Sequence, residues 1–101
     1  MKMYRQGDIL IVERASLPKG AAVKRTKGNI LDGETTGHVH RVADVSVADV
    51  LEIGDGLFLS VSENGVSIVH EEHAPIMLPE GTYEVIRQRE YSPTEIRNVV
   101  D

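Results

Sequence analysis

The sequence predicts one all-β domain over residues 1–101, a small β-barrel or β-sandwich with a short C-terminal helical turn. Three observations lead there. The apolar content is β-branched, with thirteen Val and eight Ile against seven Leu and six Ala, and such side chains suit pleated sheets better than helices. The apolar runs are short and alternate with a period of two. Pro and Gly separate them at intervals too brief for helices of stable length. With 101 residues, 41% hydrophobic and 27% charged, there is room for one core.

The elements follow in order. Residues 8–13 (DILIVE) read as a first strand that exits at Leu17-Pro18-Lys19-Gly20. Residues 23–27 and 29–31 read as two short strands. Residues 33–37 (GETTG) read as an ordered loop. In residues 38–42 the order His-Val-His-Arg-Val places His38, His40 and Val42 on one strand face. Residues 43–52 carry Val45, Val47, Val50 and Leu51 in a strand pattern broken near Ala48-Asp49. Two alternating runs, 57–63 and 66–70, flank Asn64-Gly65, a pair favoured in type I′ turns, so a hairpin is predicted there. In its return strand Val66, Ile68 and His70 share a face. Pro75 leaves no room for a helix after His70, so His73 belongs to a loop or bulge. Residues 82–91 (TYEVIRQREY) form the longest predicted strand, with Tyr83, Val85, Arg87, Arg89 and Tyr91 on a charged outer face. Ser92-Pro93-Thr94-Glu95 then matches a helix start, with Ser92 as N-cap and Glu95 completing a capping box.

Composition excludes several classes of function. Eleven Lys and Arg against sixteen Asp and Glu give a net charge of −5, which opposes binding to nucleic acid or to an anionic membrane. One Phe, three Tyr and no Trp are too few for a base-stacking platform. Without Cys there is no disulfide framework, thiolate nucleophile or thiolate metal site, as in a reducing cytoplasm. No stretch approaches the ~20 apolar residues of a membrane span, and the N-terminal run has no cleavage signature. A soluble protein without a targeting segment is therefore expected. A domain this small buries only ~60–65% of its unfolded surface, and self-association into a homo-oligomer would add stability.

All four histidines fall between positions 38 and 73, as the pair His38-x-His40 and the pair His70-x-x-His73. An H-x-H on a strand projects two imidazoles from one sheet face. A third from a neighbouring strand completes a facial set for Zn, Fe, Mn or Ni. A divalent transition metal held by His38, His40, His70 and His73 is the functional expectation, and it requires the strand of His38 and His40 to lie beside the end of the strand that finishes at His70. Three imidazoles with an open position would be catalytic, and four would close a structural site. Glu34, Asp44, Glu71 and Glu72 are near in sequence, with Glu34 or Glu72 as proton acceptor for a metal-bound water. The same histidines are also accommodated as solvent-facing strand and loop residues, or as a metal-free acid–base group. Gly33, Gly37 and Gly81 are explained by turns.

Two resemblances rest on these residues. The segments GETTGHVH (33–40) and HEEHAPI (70–76), with LPEGTY (78–83) and RQREY (87–91), look like a family of short uncharacterised proteins of tailed phages, plasmids and bacteria. That resemblance extends from Gln6-Gly7-Asp8 to Asp101 and implies a phage or mobile-element setting, either virion-associated or in the cytoplasm. Gly33, His38, His40 and Asp44 also resemble the first motif of the cupins, small metal-holding β-barrels. Residues 79–84 resemble the second cupin motif, with Glu84 where that family has histidine. Two functions are expected from this set. One is a metal-dependent hydrolase or cupin-like enzyme acting on a small-molecule substrate. The other is a non-enzymatic phage-type module, such as a virion component, whose histidines stabilise a loop or a subunit interface.

Overall fold

The structure is a computed structural model that describes residues 2–32 and 39–87. Its strands are β1 (Met3–Gln6), β2 (Ile9–Arg14), β3 (Ala22–Arg25), β4 (Asn29–Asp32), β5 (Val39–Val42), β6 (Ala48–Ile53), β7 (Gly56–Val61), β8 (Val66–Val69), β9 (Ile76–Leu78) and β10 (Gly81–Arg87). They make two antiparallel sheets, a six-stranded one in the order β1-β2-β10-β7-β6-β3 and a four-stranded one in the order β4-β5-β8-β9. The all-β prediction holds, but the barrel does not close. Among the described residues β1 and β3 each pair on one side only, and four strands form a sheet of their own. The helical turn expected at residues 92–98 lies outside the described residues.

One apolar core joins the two sheets. Ile9, Ile11, Val50, Leu59, Tyr83 and Val85 come from the larger sheet, and Ile30, Val42, Val66, Ile68 and Leu78 from the smaller. Strand alternation selects them: in β6, Ala48 and Val50 are buried while Asp49 between them is not. Tyr83 is fully buried, packs edge-on against Tyr4 and donates its hydroxyl to Pro79 O at 2.7 Å. Its burial, helped by Tyr4 and Glu13, pushes the phenol pKa up to about 12. The face carrying Tyr83, Val85 and Arg87 is therefore the inner one, and reading it as a charged outer face is corrected. Arginine at the end of an inward face leaves the same alternation pattern as arginine on an outward one.

The turns depart from expectation at two places. Residues 57–63 and 66–70 do not form a hairpin, because β7 pairs with β6 and β10 whereas β8 pairs with β5 and β9. Both edges of β7 are taken. A type I′ turn needs positive φ at both central residues, but among the described residues, Asn64 included, no non-glycine residue has positive φ. Instead the Gly65 amide donates to Ser62 O at 2.9 Å, and that turn carries the chain from one sheet to the other. The second departure is β1, which the sequence did not signal. Gln6 pairs with Ile9, leaving Gly7-Asp8 as a two-residue loop with Gly7 at φ 59°. Positive φ at the first central position alone is the type II′ pattern. Gly54-Asp55 joins β6 to β7 in the same way.

Register positions the site. Gln6 lies opposite Ile9, and Ile9 opposite Arg87. The three form a row at one end of the larger sheet, on its inner face. In the smaller sheet Val42 pairs with Ile68 and Arg41 with Val69. One further step of that register sets His40 opposite His70.

Candidate functional site

Three imidazoles stand side by side where that row meets the smaller sheet. His40 comes from β5, His70 from the residue after β8, and His73 from the bends that follow. The ring centroids are 4.3 Å apart for His40 and His70, 4.7 Å for His70 and His73, and 6.1 Å for His40 and His73. His40 and His70, distant in sequence, become neighbours in space because β5 and β8 pair. Burial decreases along the series: His40 is buried, His70 half-buried and His73 exposed. His38 and Glu34 lie outside the described residues. Glu72 is exposed, and its backbone amide donates to His70 Nδ1 at 3.0 Å. The Glu71 carboxylate accepts the Val39 amide at 2.9 Å, tying the bends to the start of β5.

Three further residues belong to the site and were missed as site residues by sequence reasoning: Gln6, Asp8 and Arg87. Gln6 and His40 are the buried polar residues of the described chain. The Gln6 amide nitrogen donates to Ile68 O at 3.0 Å and to Ala74 O at 2.9 Å. Its Oε1 therefore faces His40 Nδ1, at 2.9 Å, as an acceptor. This assigns one proton to Nδ1, so a hydrogen bond at Nε2 needs a second proton, held between Nε2 and Asp8. Nε2 is 2.9 Å from Asp8 Oδ1. The other Asp8 oxygen faces Arg87 Nε at 3.7 Å. The usable signal was Gly7: a turn glycine followed by a carboxylate, next to a Gln on an otherwise apolar face.

Burial lowers the His40 pKa below the ordinary histidine value, and the charges of His70 and His73 act the same way against the Asp8 contact. For Asp8 desolvation acts upward, but the hydrogen bond and charge of His40, its own backbone amide and Arg87 outweigh it and hold the carboxyl below the usual aspartate range. The Gly7 turn packs directly beneath His73, where an added Cβ would collide with the imidazole.

On the outer face of the smaller sheet, opposite His40, a cleft of about 150 Å³ is lined by Val39, Arg41, Val69, His70 and Glu71. Among the described residues no group of three or more His, Asp or Glu side chains is placed to hold a metal ion. In this arrangement both His40 nitrogens and His70 Nδ1 hold hydrogen bonds, and the site can store or pass a proton between His40 and Asp8.

The family model for a domain of unknown function, DUF8820, matches residues 5–88. The chain belongs to the DUF8820 family. The DUF8820 match takes in Gln6, Asp8, all four histidines and Arg87. No curated protein and no solved structure matches the chain. Among the described residues no helix is long and apolar enough to cross a membrane.

Proposed function

We propose that this DUF8820 protein binds a divalent transition metal through His40, His70 and His73, with His38 as a further ligand, and uses the ion on a small substrate. The supporting observation is the spacing of the three rings, 4.3 to 6.1 Å between centroids. An ion ~2.1 Å from each imidazole nitrogen separates ring centroids by roughly 4.5–5 Å. Small side-chain rotations cover the difference. His40 Nε2 and His70 Nδ1 would exchange their present hydrogen bonds for the ion. The bound metal would activate water or hold a substrate oxygen, with Glu34 or Glu72 accepting the proton. Zn, Fe, Mn and Ni all suit imidazole donors.

A second reading has its own observation. His40 links β5 to Gln6 and Asp8 of the larger sheet, and Gln6 continues the link to Ile68 and Ala74. In that reading the histidines are structural, and the protein is a non-enzymatic module of phage or plasmid origin that self-associates.

Elemental analysis of the purified, untagged protein separates the two. The metal reading expects about one ion per chain, retained through gel filtration and lost in His40→Ala. Protein that stays metal-free after reconstitution with Zn, Fe, Mn and Ni would be the structural module.

A further inference from the structure

We infer that the free edge of β3 is a docking surface for an extended, acidic peptide of another protein, which would add to the larger sheet as a strand beyond β3. The surface shares no residue with the histidine cluster and does not depend on the metal reading.

Backbone geometry carries the first step. β3 ends the six-stranded sheet and pairs with β6 alone, from Ala22 opposite Ile53 to Arg25 opposite Val50. In an antiparallel edge strand every second residue turns its N–H and C=O away from the partner strand, ready to pair with a further one. Ala22, Val23 and Lys24 are exposed, Val23 by 62%. A groove of about 410 Å³ takes in residues 23–27 with Asn29 and Glu52. The edge is held in place from behind. Arg25 Nε donates to Glu52 Oε2 at 2.7 Å, and Arg25 Nη1 donates to Asn29 O and Ile30 O across the turn into β4. A peptide would therefore meet a strand that is already ordered, which lowers the entropy cost of binding.

Charge carries the second step. Residues 14–31 hold five of the eleven Lys and Arg and no Asp or Glu, in a chain of net charge −5. Lys24, Arg25 and Lys27 line the groove. Lys24 is paired with Asp49 at 3.0 Å and Arg25 with Glu52 at 2.7 Å, both on the β6 side. Lys27 is exposed and forms no ion pair among the described residues. A carboxylate arriving from the open side meets one uncommitted ammonium and two cations whose partners lie behind them.

The third step sets aside a second copy of this chain. Pairing β3 with β3 would bring basic side chains against their own kind. Among the other sheet edges, β1 carries Arg5, β9 carries no charge, and β4 has a single carboxylate, Asp32. The acidic strand β6, with Asp49 and Glu52, has both of its edges filled. The occupant is thus a different chain, and cross-strand pairing fixes its pattern: carboxylates on the face of Lys24, alternating with apolar side chains on the face of Val23.

The full chain, labelled with ¹⁵N, is titrated with an acetylated and amidated seven-residue peptide of alternating Glu and Val, and the amide signals are followed by NMR. The expected result is saturable binding with shifts at residues 22–28 and 50–53, and slowed hydrogen exchange at the outward amides of β3. Lys24→Glu combined with Lys27→Glu should weaken binding ~10-fold, because two exposed attractions become repulsions. Arg25 is kept, since it also pins the turn into β4. The same peptide N-methylated throughout has no amide to donate to a ladder and should not bind. No binding to the wild type, or equal binding of the N-methylated peptide, would overturn strand addition. Equal affinity for a peptide of alternating Gln and Val would overturn the choice of an acidic partner. An oligothymidylate of the same charge that binds this edge more tightly than the peptide would make it a nucleic-acid surface instead. Circular dichroism checks the fold of the double variant. Should it not fold, Lys27→Glu alone, at an exposed turn residue, gives the same comparison.

Discussion

His40 Nε2 and Asp8 Oδ1 meet at 2.9 Å across the junction of the two sheets, although 32 residues separate them in the chain. The contact joins a buried imidazole to a carboxylate that is about half exposed, with side-chain exposures of 5% and 45%. Behind the imidazole, Gln6 ties β1 to both ends of the segment that carries His70 and His73. Proton, hydrogen-bond network and turn geometry therefore act on one small volume, and each gives a prediction.

In chelator-treated protein, acid should destabilise the fold in two stages. The His40 and Asp8 pKa values both lie below their ordinary values of 6.5 and 3.8. Between its folded and unfolded pKa each group binds more protons when unfolded, so stability falls as pH falls. The His40 contribution is complete above about pH 6.5 and is lost first, and that of Asp8 is lost below about pH 4. Urea midpoints from pH 8 to pH 3 check this. His40→Gln should flatten the upper stage, and a wild-type midpoint that rises between pH 7 and pH 5 would contradict the sign.

Gly7 and Gly54 form a matched pair. Both have φ 59° and both occupy the first position of a two-residue hairpin loop. A Cβ at Gly54 meets nothing within 4 Å, whereas one at Gly7 runs into His73. Gly54→Ala should cost about 1–2 kcal/mol, the ordinary penalty of a left-handed conformation. Gly7→Ala should cost at least ~1 kcal/mol more through the collision. Equal losses in thermal denaturation would mean that His73 swings away freely and is not packed on the turn.

Gln6→Ala should be among the most damaging single changes. It removes the amide that satisfies Ile68 O and Ala74 O and the acceptor that faces His40 Nδ1. Leaving such groups unsatisfied costs ~1–3 kcal/mol each, and a total on the order of 3 kcal/mol is expected, since Ala74 is at the surface. Gln6→Glu should be comparably destabilising despite its shape, because a carboxylate cannot donate to either carbonyl. Urea denaturation measures both, and faster amide exchange at residues 70–75 should accompany the loss.

Local chemistry made much of this protein legible in its sequence. Alternation with a period of two marked most strands, and placed Val66, Ile68 and His70 on one face because side-chain direction in a strand depends on nothing beyond the strand itself. Pro75 kept His73 out of a helix for an equally local reason, its missing amide. The H-x-H and H-x-x-H spacings pointed to imidazoles that the fold indeed brings together, His40 with His70 and His73. Strand partners were decided at a distance. Asn64-Gly65 carries a strong turn signal, yet a turn sets only a few dihedral angles. Which strand β7 pairs with was settled by β6 and β10 filling both of its edges. Gln6, Asp8 and Arg87 entered the site for the same reason. Their places follow from the β1–β2 and β2–β10 registers, and hydrogen bonds spanning 32 to 68 residues of chain leave no periodic trace in the sequence between their ends.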